Sequence, residues 1–129
     1  MIAAMSEPQP RAVPALDPED RKLITLARSA RARNGVPEGA AVRDGTGRTY
    51  VAGSVALASL TLTALQTAVA MAVASGATSL EAAAVVTGAA AQRPAARDLA
   101  AVRDLGGPDT PVILAGPDGE VRGTVAAGA

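Results

Sequence analysis

Between Thr49 and Ser79 the chain carries no charged side chain, and any fold it adopts has to accommodate that span. Within it, residues Leu62 to Gly76 are dominated by Ala, Val, Leu and Met. Ala, Leu and Met favour helix, and Gly76 supplies a natural C-terminal stop. Apolar residues fall on every face, so the sequence predicts a helix covered on all sides, by protein or by lipid. Ser59, Thr61, Thr63, Gln66 and Thr67 interrupt the stretch, and no aromatic belt flanks it. A membrane span is therefore disfavoured, and a buried helix of a cytoplasmic protein is expected.

The remainder arranges itself around this helix. Residues 1–16 contain Pro8, Pro10 and Pro14 without apolar periodicity and are read as a disordered leader. Asp17-Pro18-Glu19-Asp20 opens a first helix, because Asp caps free N–H groups, Pro suits the first helical position and carboxylates match the dipole. Leu23, Leu26, Ala27 and Ala30 repeat at helical spacing, and Asn34-Gly35 ends the run. Arg28, Arg31 and Arg33 near that end are read as solvated charges matched to the dipole rather than as a binding patch. Residues 39–43 and 48–52 form strands around the hairpin signal Asp44-Gly45-Thr46-Gly47. Residues 53–60 cross to the central helix. Then come a buried strand over 82–87, a helix over 95–105, a strand over 110–115, a Gly116-Pro117-Asp118-Gly119 turn and a strand over 120–125. The domain is placed at 17–125, with 126–129 as a flexible tail.

Strands alternating with helices in this order predict a layered α/β domain with helices on the sheet faces. Twelve basic and twelve acidic residues cancel, so no global field draws the chain to nucleic acid or anionic lipid. The abundance of Arg, Ala, Gly and Val reads as the bias of a GC-rich bacterial genome. Tyr50 is the single aromatic residue, so the core must close through small aliphatic side chains. The chain has no Cys and no His, which excludes disulfides, thiolate nucleophiles, imidazole bases and Cys/His zinc sites.

Several segments carry a family likeness. Thr67-Ala68-Val69-Ala70-Met71-Ala72-Val73-Ala74-Ser75-Gly76 resembles the part of cytidine deaminases that follows their C-A-E-R motif. Val36-Pro37-Glu38-Gly39-Ala40-Ala41-Val42 is similar to the family's F-x-V-G-A-A-[LV] segment, and Thr110-Pro111-Val112-Ile113-Leu114 with Asp118-Gly119 looks like its late strand and turn. The resemblance spans about residues 17–125. It implies a three-layer cytidine deaminase-like fold, a mixed sheet of about five strands with helices on both faces, and assembly as homo-dimers or tetramers.

The functional positions depart from the family pattern one after another. Zinc deaminases use three ligands, a metal-activated water and a glutamate that shuttles protons. The C-A-E-R positions read Thr63-Ala64-Leu65-Gln66, so the resemblance puts Thr63 at a zinc ligand and Leu65 at the catalytic glutamate. The P-C-x-x-C motif falls on Pro94-Ala95-Ala96-Arg97-Asp98, with Ala95 and Asp98 at the thiolates. Ser54 and Ala56 stand where the family holds sugar hydroxyls through Asn and Glu. The Y-x-P-Y-S-x-F segment is missing, with Arg33-Asn34-Gly35 in its place.

The expected protein is thus a catalytically inactive relative, without cofactor or metal, with a structural or protein-interaction role. It would form a homo-oligomer, with an unknown protein partner and neither nucleic acid nor membrane. Two alternatives remain. One is a module that holds a nucleoside-like molecule without turnover, in a pocket lined by Thr63, Leu65 and Ala95 that lacks charged anchors. The other is a retained enzyme, although the available acids sit mostly at turns and helix ends, where capping and solvation account for them.

Overall fold

The structure, a computed structural model, describes residues 16–129. The disordered-leader reading lies outside the described residues apart from Leu16, which is partly buried against the core. Helix α1 (Pro18–Asn34) starts as its sequence predicts: Asp17 Oδ1 accepts from the Glu19 N–H at 2.8 Å, and Pro18 occupies the first turn. Gly35 ends it in the left-handed region at φ 62°, which a Cβ would strain.

Strands β1 (Glu38–Asp44) and β2 (Thr49–Gly53) form the expected antiparallel hairpin. Asp44 organises its turn. Its carboxylate accepts from the Thr46 hydroxyl at 2.7 Å, from the Thr46 and Arg48 N–H groups, and from the Tyr50 hydroxyl. The Thr46 hydroxyl bond leads, and together these donors hold the acid at about 2, below its ordinary 3.8, against the opposing effect of burial.

The chain then forms a small hairpin that the sequence reading passed over as a crossing. Strands β3 (Val55–Ala56) and β4 (Thr61–Leu62) pair Val55 with Leu62 and Ala56 with Thr61. Helix α2 (Ala64–Ala74) follows, then β5 (Leu80–Thr87), α3 (Ala96–Gly106), β6 (Pro111–Ala115) and β7 (Val121–Ala126). The main sheet has the order β2-β1-β5-β6-β7. Only β5 and β6 run parallel, joined through α3, so the sheet is mixed.

Strand alternation divides the interior into two layers of core. Ala41, Ala84, Val86 and Ile113 face α1, where Leu23, Ile24 and Ala27 meet them. Ala40, Val42, Val85, Val112 and Leu114 face the other way, onto Leu65, Ala68 and Ala72 of α2 and Leu99 and Val102 of α3. The result is the three-layer α/β architecture expected from the sequence.

Three expectations need correction. The central helix is covered on one side only: Ala64, Leu65, Ala68, Val69 and Ala72 are buried, whereas Met71 and Val73 are 41% and 53% exposed. An Ala-rich helix needs only one face against the sheet, and its other positions add little apolar area. The C-terminal residues are tied down rather than loose. Ala127 is fully buried, its N–H donates to Thr110 O, and its carbonyl accepts from Arg103 Nη1 at 3.1 Å. Finally, Arg28 and Arg31 are not merely solvated charges, since each donates through Nε to a backbone carbonyl, Pro117 O at 2.9 Å and Pro37 O at 3.0 Å. Among the described residues, no helix is long and apolar enough to cross a membrane.

Small residues let α1 lie close to the sheet, and Gly39 marks the tightest point. A Cβ there would sit 2.0 Å from Ala27 O and 2.7 Å from Arg31 N, both backbone atoms that cannot swing aside. Gly39→Ala therefore has to lift α1 from β1, an overpacking cost of about 1–3 kcal/mol. Thermal unfolding should show Tm lowered by at least about 4 °C for a domain of this size. An unchanged Tm would contradict the close helix–sheet approach.

Candidate functional site

A cavity of about 460 Å³ opens beside the end of β5, where the chain leaves the sheet for α3. Crevices at the carboxyl ends of strands are the usual ligand sites of α/β sheets. Its walls come from the end of α1, the start of β1, the β3–β4 hairpin and the first turns of α2 and α3.

The floor is set by the start of α2. Thr63 is its N-cap: the hydroxyl accepts from Gln66 N–H at 3.0 Å, and Gln66 Oε1 accepts from Thr63 N–H at 3.0 Å. This reciprocal capping box fixes the first turn. The same Thr63 hydroxyl donates its proton to Asp98 Oδ1 at 2.5 Å, joining the beginnings of α2 and α3. Asp98 is only 2% exposed. Burial pushes its carboxyl up, opposed by the Thr63 hydrogen bond and the nearby Arg97 guanidinium.

Of the residues singled out from sequence, Thr63, Ser54 and Ala56 line the cavity, and Asp98 lies hydrogen-bonded behind Thr63. Leu65 does not line it; it is fully buried between α2 and the sheet. Ala95 is exposed and does not line it either. The expected pocket lining of Thr63, Leu65 and Ala95 is thus reduced to Thr63, because Leu65 lies on the sheet-facing side of α2. The expectation that charged anchors are lacking also fails. Arg31, Glu38 and Arg97 line the cavity. Glu38 could have been noticed as an acid directly preceding the apolar run Gly39 to Val42, standing at the valine of F-x-V-G-A-A. Arg31 and Arg97 gave no such signal.

Glu38 is partly buried at the start of β1, opposite Thr87 on β5. Burial raises its carboxyl first and the negative charge of Asp98 adds to this, while the Thr87 hydroxyl and Arg97 pull the other way. The cavity lining therefore combines one carboxylate, two guanidiniums, several hydroxyls and an apolar wall, with the Asp98 carboxylate buried behind Thr63.

The family's metal can be tested against these donors. A catalytic zinc takes three protein ligands and a water. The positions that the resemblance aligns with zinc ligands offer a neutral hydroxyl, an exposed methyl and one carboxylate, and the hydroxyl and carboxylate already satisfy each other. That set does not fit a tightly held zinc. Among the described residues, no group of three or more His, Cys, Asp or Glu side chains gathers at one point.

Three layers, a mixed five-stranded sheet and a cavity at the starts of α2 and α3 define a layered α/β protein with its crevice at the strand ends of the sheet. A family model described as cytidine deaminase-like matches residues 16–119. The chain belongs to that family. Among solved structures it is similar to the cytidine deaminase of Burkholderia pseudomallei, with 28% identity and a TM-score of 0.73 over 83% of this chain and 91% of that one. It is also similar to the cytidine deaminase of Mycobacterium leprae, with 25% identity and a TM-score of 0.65 over 82% and 91%. The Mycobacterium tuberculosis cytidine deaminase, at 24% identity and a TM-score of 0.65 over 87% and 93%, shares the fold. No curated protein matches the chain.

Asp98 gives a pH test of the floor. Its folded-state pKa lies above the ordinary 3.8, so the native state binds more protons than the unfolded chain between the two values. Stability contributed by the group is therefore intact below 3.8 and declines as pH rises through the folded-state value. Asp98→Asn keeps an acceptor for the Thr63 hydroxyl and removes the buried charge. Its Tm should exceed the parent's at pH 7, and the gain should shrink toward pH 3. A Tm deficit of equal size at both pH values would contradict the assignment.

Proposed function

We infer that this chain is a cytidine deaminase-like protein that no longer deaminates and that acts through association, as a structural or interaction protein of the cytoplasm. The observation that carries the reading is the Thr63–Asp98 hydrogen bond, in which two positions aligned with zinc ligands consume each other's bonding capacity. The lack of Cys and His throughout the sequence supports it, as does Leu65 in the core at the position aligned with the proton-shuttling glutamate. Thr63, Ala95 and Asp98 are accordingly read as former ligand positions, and Ser54 and Ala56 as former sugar contacts.

Association with a second copy, as a dimer or tetramer, is supported by the uncovered side of α2. Val73 is exposed there and lines a shallow groove with Val69, Ala70, Ala101 and Leu105, and Met71 is exposed on the other flank of the helix. A domain this small gains core by covering such a surface. A further protein partner belongs to the same reading. The balanced charge supports neither nucleic acid nor anionic membrane as partner.

One observation favours a second reading. The cavity is retained at a size typical of small-molecule sites, so the protein can hold a ligand without turning it over.

Elemental analysis of the purified protein and assay with cytidine and deoxycytidine test the first reading. Zinc should be well below stoichiometric, and uridine formation should equal the no-enzyme control. About one zinc per chain, the loading of a mononuclear catalytic site, or uridine above the control, would overturn it. Light scattering at micromolar concentration should show an oligomer, and a monomer alone would remove self-association from the account.

A further inference from the structure

Resting on the second reading above, that the cavity holds a small molecule without turnover, we propose that its ligand is a compact zwitterion. A protonated nitrogen would sit on the Glu38 carboxylate, and a carboxylate or phosphate on Arg31 and Arg97.

The charges of this cavity behave differently from the structural charges of the fold. Arg43, on the same strand as Glu38, is paired directly with Asp20 at 2.9 Å and Glu81 at 2.8 Å. Among the described residues, Arg31, Glu38 and Arg97 enter no ion pair, although they border one cavity. Arg31 is anchored by the backbone instead. Arg31 Nε is fixed on Pro37 O at 3.0 Å, and its guanidinium lies across Gly88, where a Cβ would come within 2.6 Å of Nη2. A glycine at that point is what lets the guanidinium lie there. Its two Nη groups remain available in a planar fork, the geometry that suits a carboxylate or phosphate.

Glu38 supplies the opposite end. It replaces an apolar residue of the family segment with a half-buried acid and stands opposite the Thr87 hydroxyl. Asp98 behind Thr63 adds a second negative charge on the same side. The lining thus presents poles of both signs, one carboxylate and two guanidiniums. A lone anion or a lone cation therefore meets one favourable and one unfavourable pole, whereas a zwitterion meets both favourably. Between the poles, Pro37, Val55 and Leu62 provide an aliphatic wall with no aromatic ring, which suits a short saturated spacer.

The test is isothermal titration of the intact protein with β-alanine, γ-aminobutyrate and δ-aminovalerate. Each is compared with its matched alkanoate and alkylamine, with cytidine as an uncharged comparator. At least one ω-amino acid should bind about ten-fold more tightly than either of its singly charged counterparts, the difference one charged hydrogen bond makes. Glu38→Gln should lower that affinity to the level of the alkanoate, and Arg31→Gln to the level of the alkylamine. Arg97→Gln, at an exposed position, provides a second variant and should likewise lower that affinity toward the level of the alkylamine. An ω-amino acid that binds no more tightly than its alkanoate and alkylamine, or variants that bind it as the parent does, would overturn the proposal. Binding of cytidine without any ω-amino acid would overturn the charge assignment while leaving the cavity a small-molecule site. Absence of binding by every probe would overturn both.

Discussion

Where α2 and α3 begin, a single hydroxyl serves two elements. Thr63 Oγ1 accepts from the Gln66 N–H and donates to Asp98. The first bond caps α2, and replacing such a cap by alanine costs about 1 kcal/mol. The second holds the start of α3 against it and satisfies a carboxylate that is otherwise withdrawn from water, a bond worth roughly 1.5–3 kcal/mol because one partner is charged. The apolar faces seat both helices on the sheet, and this junction joins their first turns at the cavity wall. At the places the family resemblance assigns to zinc ligands, a hydrogen bond now joins the two helices.

The rest of the fold is a problem of packing small side chains. With Tyr50 as the single aromatic residue, the layers close by approach rather than by bulk. Gly39 under α1 is the extreme case, and the alanines of β1 and β5 extend the same principle along both faces. Arginine side chains then tie the periphery to this framework through carbonyl oxygens: Arg28 to Pro117, Arg31 to Pro37, Arg103 to Ala127 and Arg122 to Ala89 and Ala91. This explains why, among the described residues, many arginines coexist with few ion pairs.

Much of the fold was legible because its signals are local. Asp17-Pro18 and Gly35 state the ends of α1, Asp44-Gly45-Thr46-Gly47 states a hairpin, and the apolar runs of β5 and β6 state buried strands. The β3–β4 hairpin was not legible, since strands of two residues have no periodicity to read. The one-sided burial of α2 was missed because composition reports how apolar a helix is and not which side meets the sheet. At the site, Thr63 and Asp98 were found through the family likeness, but their contact is a tertiary fact. Arg31 looked like an ordinary helix-end charge because the glycine that admits its guanidinium lies far along the chain at Gly88. Leu65 and Ala95 were assigned to the pocket by alignment alone, and the structure places one in the core and the other at the surface.

The junction between Thr63 and Asp98 is best tested by a double-mutant cycle on stability, with Thr63→Val, Asp98→Ala and the pair measured by denaturant unfolding at neutral pH. Subtracting the single effects removes the cap that Thr63 also provides and isolates the contact itself. The account predicts a coupling of roughly 1.5–3 kcal/mol, the range for a hydrogen bond to a charged group. Additivity within about 0.5 kcal/mol would contradict it, because independent sites add in that way.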